Sequence, residues 1–401
     1  IESLCAPNVI ISVGGCKSPH HDFSHFALII QEMEYKLDSP MKLALEEAKR
    51  AWGKTHPNPM VGAVIVENGE VVATGYHKAT GKDHAEVDAL RDLGREPSPK
   101  ASLYVTLEPC CIDALTPPCT QAIVKSGIRD VHIGTIDPNP LVSGKGIQLL
   151  QNAGIKVHMG EMEDECRDLN LLFNHWIKTQ TPLLAGKVAT TIDGRTATHN
   201  GHSKWITSGK ARKDVMRWRR LFPAIAVGAG TVMADNPSLT SRIEGRKDWC
   251  PIRFVFDSQL KTWPNKAIYM DNFRDQTILV TVESAPAKIV SEIKHSSLSI
   301  WQLPEKEGRP CLESFKNRCV DAAINGVLIE GGSKLLSSFL NSGNLDYLFA
   351  YRAPRILGDI SAIPVFHGRQ IESIEQSISL TNVQHATLGD DQLLRGYISR
   401  P

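Results

Sequence analysis

Leu103-Tyr104-Val105-Thr106-Leu107-Glu108-Pro109-Cys110, followed after eight residues by Cys119-Thr120-Gln121-Ala122-Ile123-Val124-Lys125-Ser126, decides how the first half of this chain folds. Leu103 to Thr106 is rich in strand formers, and Pro109 stops it. Pro118 suits the start of a helix running to Ser126, which puts Cys119 in its first turn. Upstream, His84-Ala85-Glu86 opens another helix that ends near Leu93. One imidazole and two thiolates suffice for a catalytic zinc with water in the fourth position. Thiolates are favoured at helix starts, where backbone N–H groups are unpaired. Glu86 is close enough to His84 to reach the bound water rather than the metal. A zinc-activated water attacking an amidine-like ring carbon, with a non-ligand Glu carrying the proton, is deaminase chemistry. The zinc set is therefore His84, Cys110 and Cys119, the catalytic residue Glu86, and Cys111 a thiol without a ligand role. The alternative is a non-catalytic, zinc-stabilised binding module, in which Glu86 is dispensable.

Working outward, Ser39-Pro40 starts an amphipathic helix carrying Met41, Leu43, Ala44, Leu45, Ala48 and Ala51. His56-Pro57-Asn58-Pro59 breaks it. Val61 to Val66 reads as a strand, and Asn68-Gly69 as a hairpin turn into Val71-Val72-Ala73. Val131 to Ile133, a helix over Gly146–Asn152 and Ile155 to Val157 continue the alternation, which predicts a three-layer α/β domain. Lys178-Thr179-Gln180-Thr181-Pro182 marks a boundary near 180. Three segments follow: an extension over 1–32, a deaminase domain over 33–180 and a second α/β domain over 181–401.

A chain of 401 residues exceeds what one core usually supports, so two domains are expected on length alone. Lys+Arg (45) nearly cancels Asp+Glu (44), which argues against a nucleic-acid partner. No apolar run reaches the ~18 residues of a membrane span. The nine cysteines are scattered, unlike a secreted disulfide scaffold, and the start lacks a signal-peptide pattern. A reducing, cytoplasmic setting is the expectation.

The second half reads as strands at Leu183–Ala189, Ala224–Val227, Arg253–Asp257, Thr277–Val282 and Val327–Ile329. Four segments carry chemistry. They are Lys187 to Arg195; Ser203 to Ser208 before a helix with Arg212, Arg217, Arg219 and Arg220; Gly228 to Pro237; and Glu330-Gly331-Gly332-Ser333 opening a helix. A Gly-Gly-Ser helix start suits phosphate, while Gly228-x-Gly230 lacks the third glycine of a Rossmann fingerprint.

Thr55-His56-Pro57-Asn58-Pro59-x-Val61-Gly62, His84-Ala85-Glu86-Val87, Thr106-Leu107-Glu108-Pro109-Cys110, Thr116-Pro117-Pro118-Cys119 and Asp137-Pro138-Asn139-Pro140 together resemble the bacterial bifunctional riboflavin-biosynthesis family RibD. The resemblance runs from about Met33 to the C-terminus. It implies a cytidine-deaminase-like α/β/α domain fused to a dihydrofolate-reductase-like α/β domain. It implies zinc-dependent deamination of 2,5-diamino-6-ribosylamino-4(3H)-pyrimidinone 5′-phosphate, then NADPH-dependent reduction of the ribosyl group of 5-amino-6-(5-phosphoribosylamino)uracil. Carried onto this chain, Asn58, Asp137 and Asn139 contact the deaminase substrate. Ala189, Trp205, Thr231, Asp235 and the loop Gly332, Ser333, Lys334, Leu335, Leu336, Ser337 and Ser338 hold NADPH. Ser203, Arg219, Leu239, Arg242 and Glu330 hold the phosphorylated reductase substrate, with Arg219 and Arg242 as phosphate forks. A homo-oligomer is implied by family habit alone.

One segment departs from the family. Where Ser-His-x-Gly and then Lys or Arg are usual, this chain has Cys111-Ile112-Asp113-Ala114-Leu115. The histidine and basic residue expected to hold polar or phosphorylated substrate are missing. A reductase with a deaminase domain of altered or lost activity is therefore the alternative on the enzyme side.

Overall fold

The computed structural model describes residues 39–113, 117–245 and 247–401. The 1–32 extension and Ala114, Leu115 and Thr116 lie outside the described residues.

The first helix, α1 (Pro40–Lys49), begins after Ser39 with Pro in its first turn and buries Met41, Ala44, Leu45 and Ala48 along one stripe. It lies directly on the first strand: a Cβ on Gly62 would stand 1.9 Å from the Ala44 carbonyl oxygen. Strands β1 (Gly62–Glu67) and β2 (Glu70–Tyr76) form a hairpin whose turn residues, Asn68 and Gly69, both have positive φ. Then come α2 (Ala85–Leu93), β3 (Ser102–Leu107), α3 (Cys119–Ser126), β4 (Asp130–Thr135), α4 (Lys145–Asn152) and β5 (Lys156–Met159). The five-stranded sheet has the order β2-β1-β3-β4-β5, with β3, β4 and β5 parallel. Its one face packs Ile65, Leu103, Val105, Val131 and Ile133 under α2, α3 and α4. Its other face lies under α1 and α5 (Glu163–Leu169). Parallel strands with helices on both faces place the binding crevice at the carboxyl ends of β3 and β4.

Helix α6 (Leu171–Thr179) leads to the second sheet. Its elements are β6 (Leu183–Thr190), β7 (Arg195–Ala197), α7 (Gly209–Leu221), β8 (Ala224–Gly228), α8 (Ala229–Asp235), β9 (Ile252–Phe256), β10 (Thr277–Val282), α9 (Ala287–His295) and β11 (Ser299–Leu303). They continue with β12 (Glu305–Lys306), β13 (Arg309–Pro310), α10 (Leu312–Asp321), β14 (Gly326–Ile329), α11 (Ser333–Asn341), β15 (Tyr347–Arg352), β16 (Ile363–Pro364), β17 (Ser379–Leu388) and β18 (Asp391–Ser399). The nine strands run β11-β10-β9-β8-β14-β6-β15-β18-β17, antiparallel only at β15-β18 and β18-β17. The sequence reading missed that final hairpin. Strand β17 is mostly exposed on both faces, so it has no apolar alternation to find.

The two sheets share no strand but share a core. Trp52 after α1 meets Trp218 on α7 edge to face at 5.4 Å, and its Nε1–H donates to the Arg217 carbonyl at 2.8 Å. Arg395 on β18 makes a bidentate pair with Asp168 on α5. The halves are therefore welded by apolar packing rather than tethered.

Candidate active sites

At the first site the backbone delivers three donors to one point. His84 caps α2, Cys110 follows β3, and Cys119 is the first residue of α3. His84 Nδ1 lies 3.1 Å from Cys119 Sγ and 3.4 Å from Cys110 Sγ, and the two sulfurs are 3.4 Å apart. A tetrahedral zinc with ~2.1–2.3 Å bonds separates its ligand atoms by a little more than this, so the set fits one ion after a small expansion. The Cys110 thiol is pushed down to about 4: the Cys119 thiol donates to it, burial opposes, and His84 and the Cys119 N–H favour the anion. The Cys119 thiol is raised by that same bond and by burial. Cys111 stands outside the donor cluster. Burial, Glu108 and Cys110 raise its thiol, and the Lys145 ammonium opposes them.

Glu86 lies in the first turn of α2, only 3% exposed. Burial, then the Cys110 charge, push its carboxyl up to about 7, with His84 opposing.

Asn58 and Asp137 also reach this region. Asn58 Nδ2 lies 3.3 Å from Nε2 of His77, whose Nδ1 lies 3.0 Å from the Asp83 carbonyl. The His77 ring meets His84 edge to face at 5.2 Å. Burial lowers the His77 pKa, so it is a neutral ring donating from Nδ1 and accepting from Asn58. The sequence reading overlooked it, although its place at the end of β2, seven residues before His84, was a usable signal. Asp137 is raised to about 6 by burial, against a hydrogen bond from the Asn139 N–H. Asn139 itself shapes the loop, its Oδ1 accepting from the Leu141 N–H at 3.1 Å.

Glu108 was also given no role. Its buried carboxylate accepts from the N–H groups of Asp137, Gly144, Gly146 and Ile147, at 3.0–3.3 Å. It thereby pins the 137–147 loop beside Cys110.

The second site is a cleft of about 1930 Å³. Every residue expected to bind cofactor or substrate in this half lines it except Ser337, whose Oγ accepts from the His367 N–H. The expected loop over 332–338 is in fact a Gly332 cap and the first turns of α11, with Leu336 and Ser337 buried. The Gly332 N–H donates to Thr231 Oγ1 at 2.8 Å. A Cβ on Gly331 would come within 3.0 Å of the Gly228 nitrogen, so glycine here lets the backbones leaving β14 and β8 meet. Trp205 is 63% exposed, with the Arg212 guanidinium 4.5 Å over its ring. Asp235 pairs with Lys204 at 3.5 Å.

The arginines divide the work differently from the expectation. Arg242 is exposed on the cleft wall. Arg219 is not a free fork: Nε and Nη2 bind the Glu330 carboxylate at 2.6 and 3.0 Å, and Nη1 donates to the Thr240 carbonyl at 3.0 Å. Lys187 adds a second cation 3.2 Å from Glu330. Burial would raise the Glu330 carboxyl, but Arg219 and Lys187 outweigh it and hold it at about 2. Leu239 has a positive φ and a buried side chain, which leaves only its backbone to face the cleft. That loop is fastened from below by Arg253. All five of its N–H donors are used, on Thr277, Ser238, Ile268 and both oxygens of Asp271.

Known proteins match both halves of the chain. Residues 35–135 match the cytidine and deoxycytidylate deaminase zinc-binding region, and residues 182–394 match the RibD C-terminal domain. Riboflavin biosynthesis protein RibD of Actinobacillus pleuropneumoniae is 39% identical over 361 residues, covering 90% of this chain and 95% of that protein. The Aquifex aeolicus RibD is 40% identical over 354 residues, covering 88% and 96%. Among solved structures, Acinetobacter baumannii RibD superposes with a TM-score of 0.72 at 34% identity, covering 90% of this chain and 98% of that one. A Thermotoga maritima diaminohydroxyphosphoribosylaminopyrimidine deaminase/5-amino-6-(5-phosphoribosylamino)uracil reductase gives the same TM-score, identity and coverage. With a deaminase-type donor set on one sheet and a glycine-lined cleft on the other, this chain belongs to the RibD family of bifunctional riboflavin-biosynthesis deaminase-reductases.

Proposed function

We propose that the first site deaminates the 2,5-diamino-6-ribosylamino-pyrimidinone 5′-phosphate, and that the second reduces the ribosyl group of the resulting 5-amino-uracil with NADPH. The observation that carries this is the Cys110, Cys119 and His84 cluster beside buried Glu86, in a chain that also holds a complete reductase-type cleft. The natural division is 33–180 for deamination and 181–401 for reduction.

His84, Cys110 and Cys119 would hold zinc, whose Lewis acidity would make water nucleophilic near neutral pH. Glu86 takes the proton from the attacking water and returns it to the departing amine. Asn58, ordered by His77, and Asp137, ordered by the loop that Glu108 pins, bind the ring edge. In the second site NADPH, when bound, would supply the hydride. The first turn of α11 would offer N–H groups to its phosphates, the Gly332 N–H being held by Thr231 Oγ1, and Trp205, Thr231 and Asp235 line the same wall. Lys306, Arg309 and Lys334 line the same cleft and would offer positive charge to a 2′-phosphate. Arg242, with Ser203 and the Leu239 backbone, receives the substrate phosphate, while Arg219 and Glu330 brace the wall behind them.

The departure at Cys111–Leu115 leaves these proton-transfer parts in place, and neither alternative, a lost deaminase or a binding module, gains support from the relatives. Zinc-loaded protein should release ammonia from the diamino-pyrimidine. Glu86→Gln should cut that rate by about 10²–10⁴-fold with zinc content unchanged. Zinc-replete wild type that releases no ammonia sinks the deaminase half.

A further inference from the structure

A second cluster of metal-ligating side chains lies on the other face of the first sheet, away from α2 and α3. Asp130 and His132 on β4 and His158 on β5 place one ligand atom each within 4.8 Å of one another. We propose that Asp130, His132 and His158 form an accessory site for a divalent first-row transition ion such as Zn²⁺ or Co²⁺.

The backbone sets the geometry. His132 and His158 are register partners across the parallel β4–β5 pair, so both rings leave the same face of the sheet. They stack with centroids 4.4 Å apart and 12° between planes, and Tyr104 on β3 stacks on His132 at 4.2 Å. Both Nε2 atoms face the Asp130 carboxylate, His158 at 2.9 Å and His132 at 3.8 Å. A tetrahedral ion with ~2.1 Å bonds separates its ligand atoms by roughly 3.4 Å, which these two distances bracket. The His132 contact is too long for a hydrogen bond, so an ion between the groups would satisfy what the protein alone leaves loose.

A second carboxylate stands on the far side of His132, also beyond hydrogen-bond distance. The His132 Nδ1 faces Glu161 at 3.7 Å, and Glu161 is itself held by the Ser39 hydroxyl at 2.6 Å. A carboxylate behind a ligating imidazole fixes the ring and raises its basicity. Among the described residues, the ion pairs of Asp130 and Glu161 come from imidazoles alone. Two carboxylates beside two imidazoles favour a divalent cation between them. Two imidazoles and a carboxylate suit zinc, cobalt, nickel or copper rather than magnesium or calcium. The mouth is open, the Asp130 and His158 side chains each being 37% exposed.

The test is equilibrium dialysis of the full chain against Co²⁺, with bound metal counted by mass spectrometry and absorbance recorded. The Cys110–Cys119 site gives thiolate-to-cobalt charge transfer in the near ultraviolet, whereas the accessory site has no sulfur and adds none. His132→Gln/His158→Gln should bind one equivalent fewer than wild type, with the thiolate band and ammonia release unchanged. Asp130→Asn, a near-isosteric change at a half-exposed position, should lose the same equivalent and decides the matter if the double variant misfolds. Full retention of the cobalt complement in the soluble variants overturns the proposal.

Discussion

Replacing Glu330 by Gln probes how the second cleft is held in shape. The carboxylate is 5% exposed and meets Arg219 and Lys187 at 2.6 and 3.2 Å. Folding moves its pKa from 4.5 down to about 2, the two cations outweighing burial. A carboxylate stabilised in this way contributes about 3 kcal/mol, fully present above pH 4.5 and lost as pH falls through 2. Glu330→Gln keeps the shape but strands a buried guanidinium, whose cost is of the same order, ~3–5 kcal/mol. Urea unfolding followed by tryptophan fluorescence reads this directly, because Trp218 adjoins Arg219 on α7. The variant should be about 3 kcal/mol less stable at pH 7, and about half of that gap should remain at pH 3. Adding Arg219→Met should recover part of the loss by removing the orphaned cation. A gap under about 1 kcal/mol at pH 7, or one that is as large at pH 3, refutes the ion-pair reasoning.

Three further outcomes are expected. Among the described residues the buried Nε2 of His175 has no hydrogen-bond partner, and burial, then Lys316, lowers its pKa to about 4. Its neutral form therefore stabilises the fold above pH 6.5, and about 3 kcal/mol is lost as pH falls from 6.5 to 4, a slope that His175→Phe should flatten. Arg253→Met should cost about 3–5 kcal/mol and raise the reductase KM for the phosphorylated substrate, because it unfastens Ser238 and strands Asp271. An unchanged KM would show that the 236–242 loop holds itself. Glu108→Ala should raise the deaminase KM about tenfold or more, a loss of roughly 1.4 kcal/mol in substrate binding, by freeing four loop N–H groups while cofactor oxidation at the second site stays normal. Equal damage to both reactions would mean that Glu108 is only a folding residue.

The chemistry of the first site was legible because it sits at element boundaries. Proline punctuation placed Cys110 and Cys119 at a strand end and a helix start, and His84-Ala85-Glu86 read as a helix opening, where the structure has them. What stayed illegible were side chains whose partners are remote in sequence. Arg219 looked like a phosphate fork because nothing nearby revealed Glu330, 111 residues away, as its counter-ion. Glu108 belonged to a quoted motif, yet its acceptors' donors lie 29–39 residues on. Trp52 and Trp218 were given no role, because the contact partner of each lies in the other half of the chain. Only the fold shows that they meet and join the halves.

The central claim is that one chain carries out both steps in order. Its most direct test is a single reaction holding the zinc-loaded protein, the diamino-pyrimidine phosphate and NADPH, with ammonia and nicotinamide absorbance followed together. Ammonia should appear first, and NADPH should then be consumed one for one. If NADPH is consumed only when the deaminated uracil is supplied, and no ammonia forms from the diamino compound, the first site does not do what its geometry is built to do.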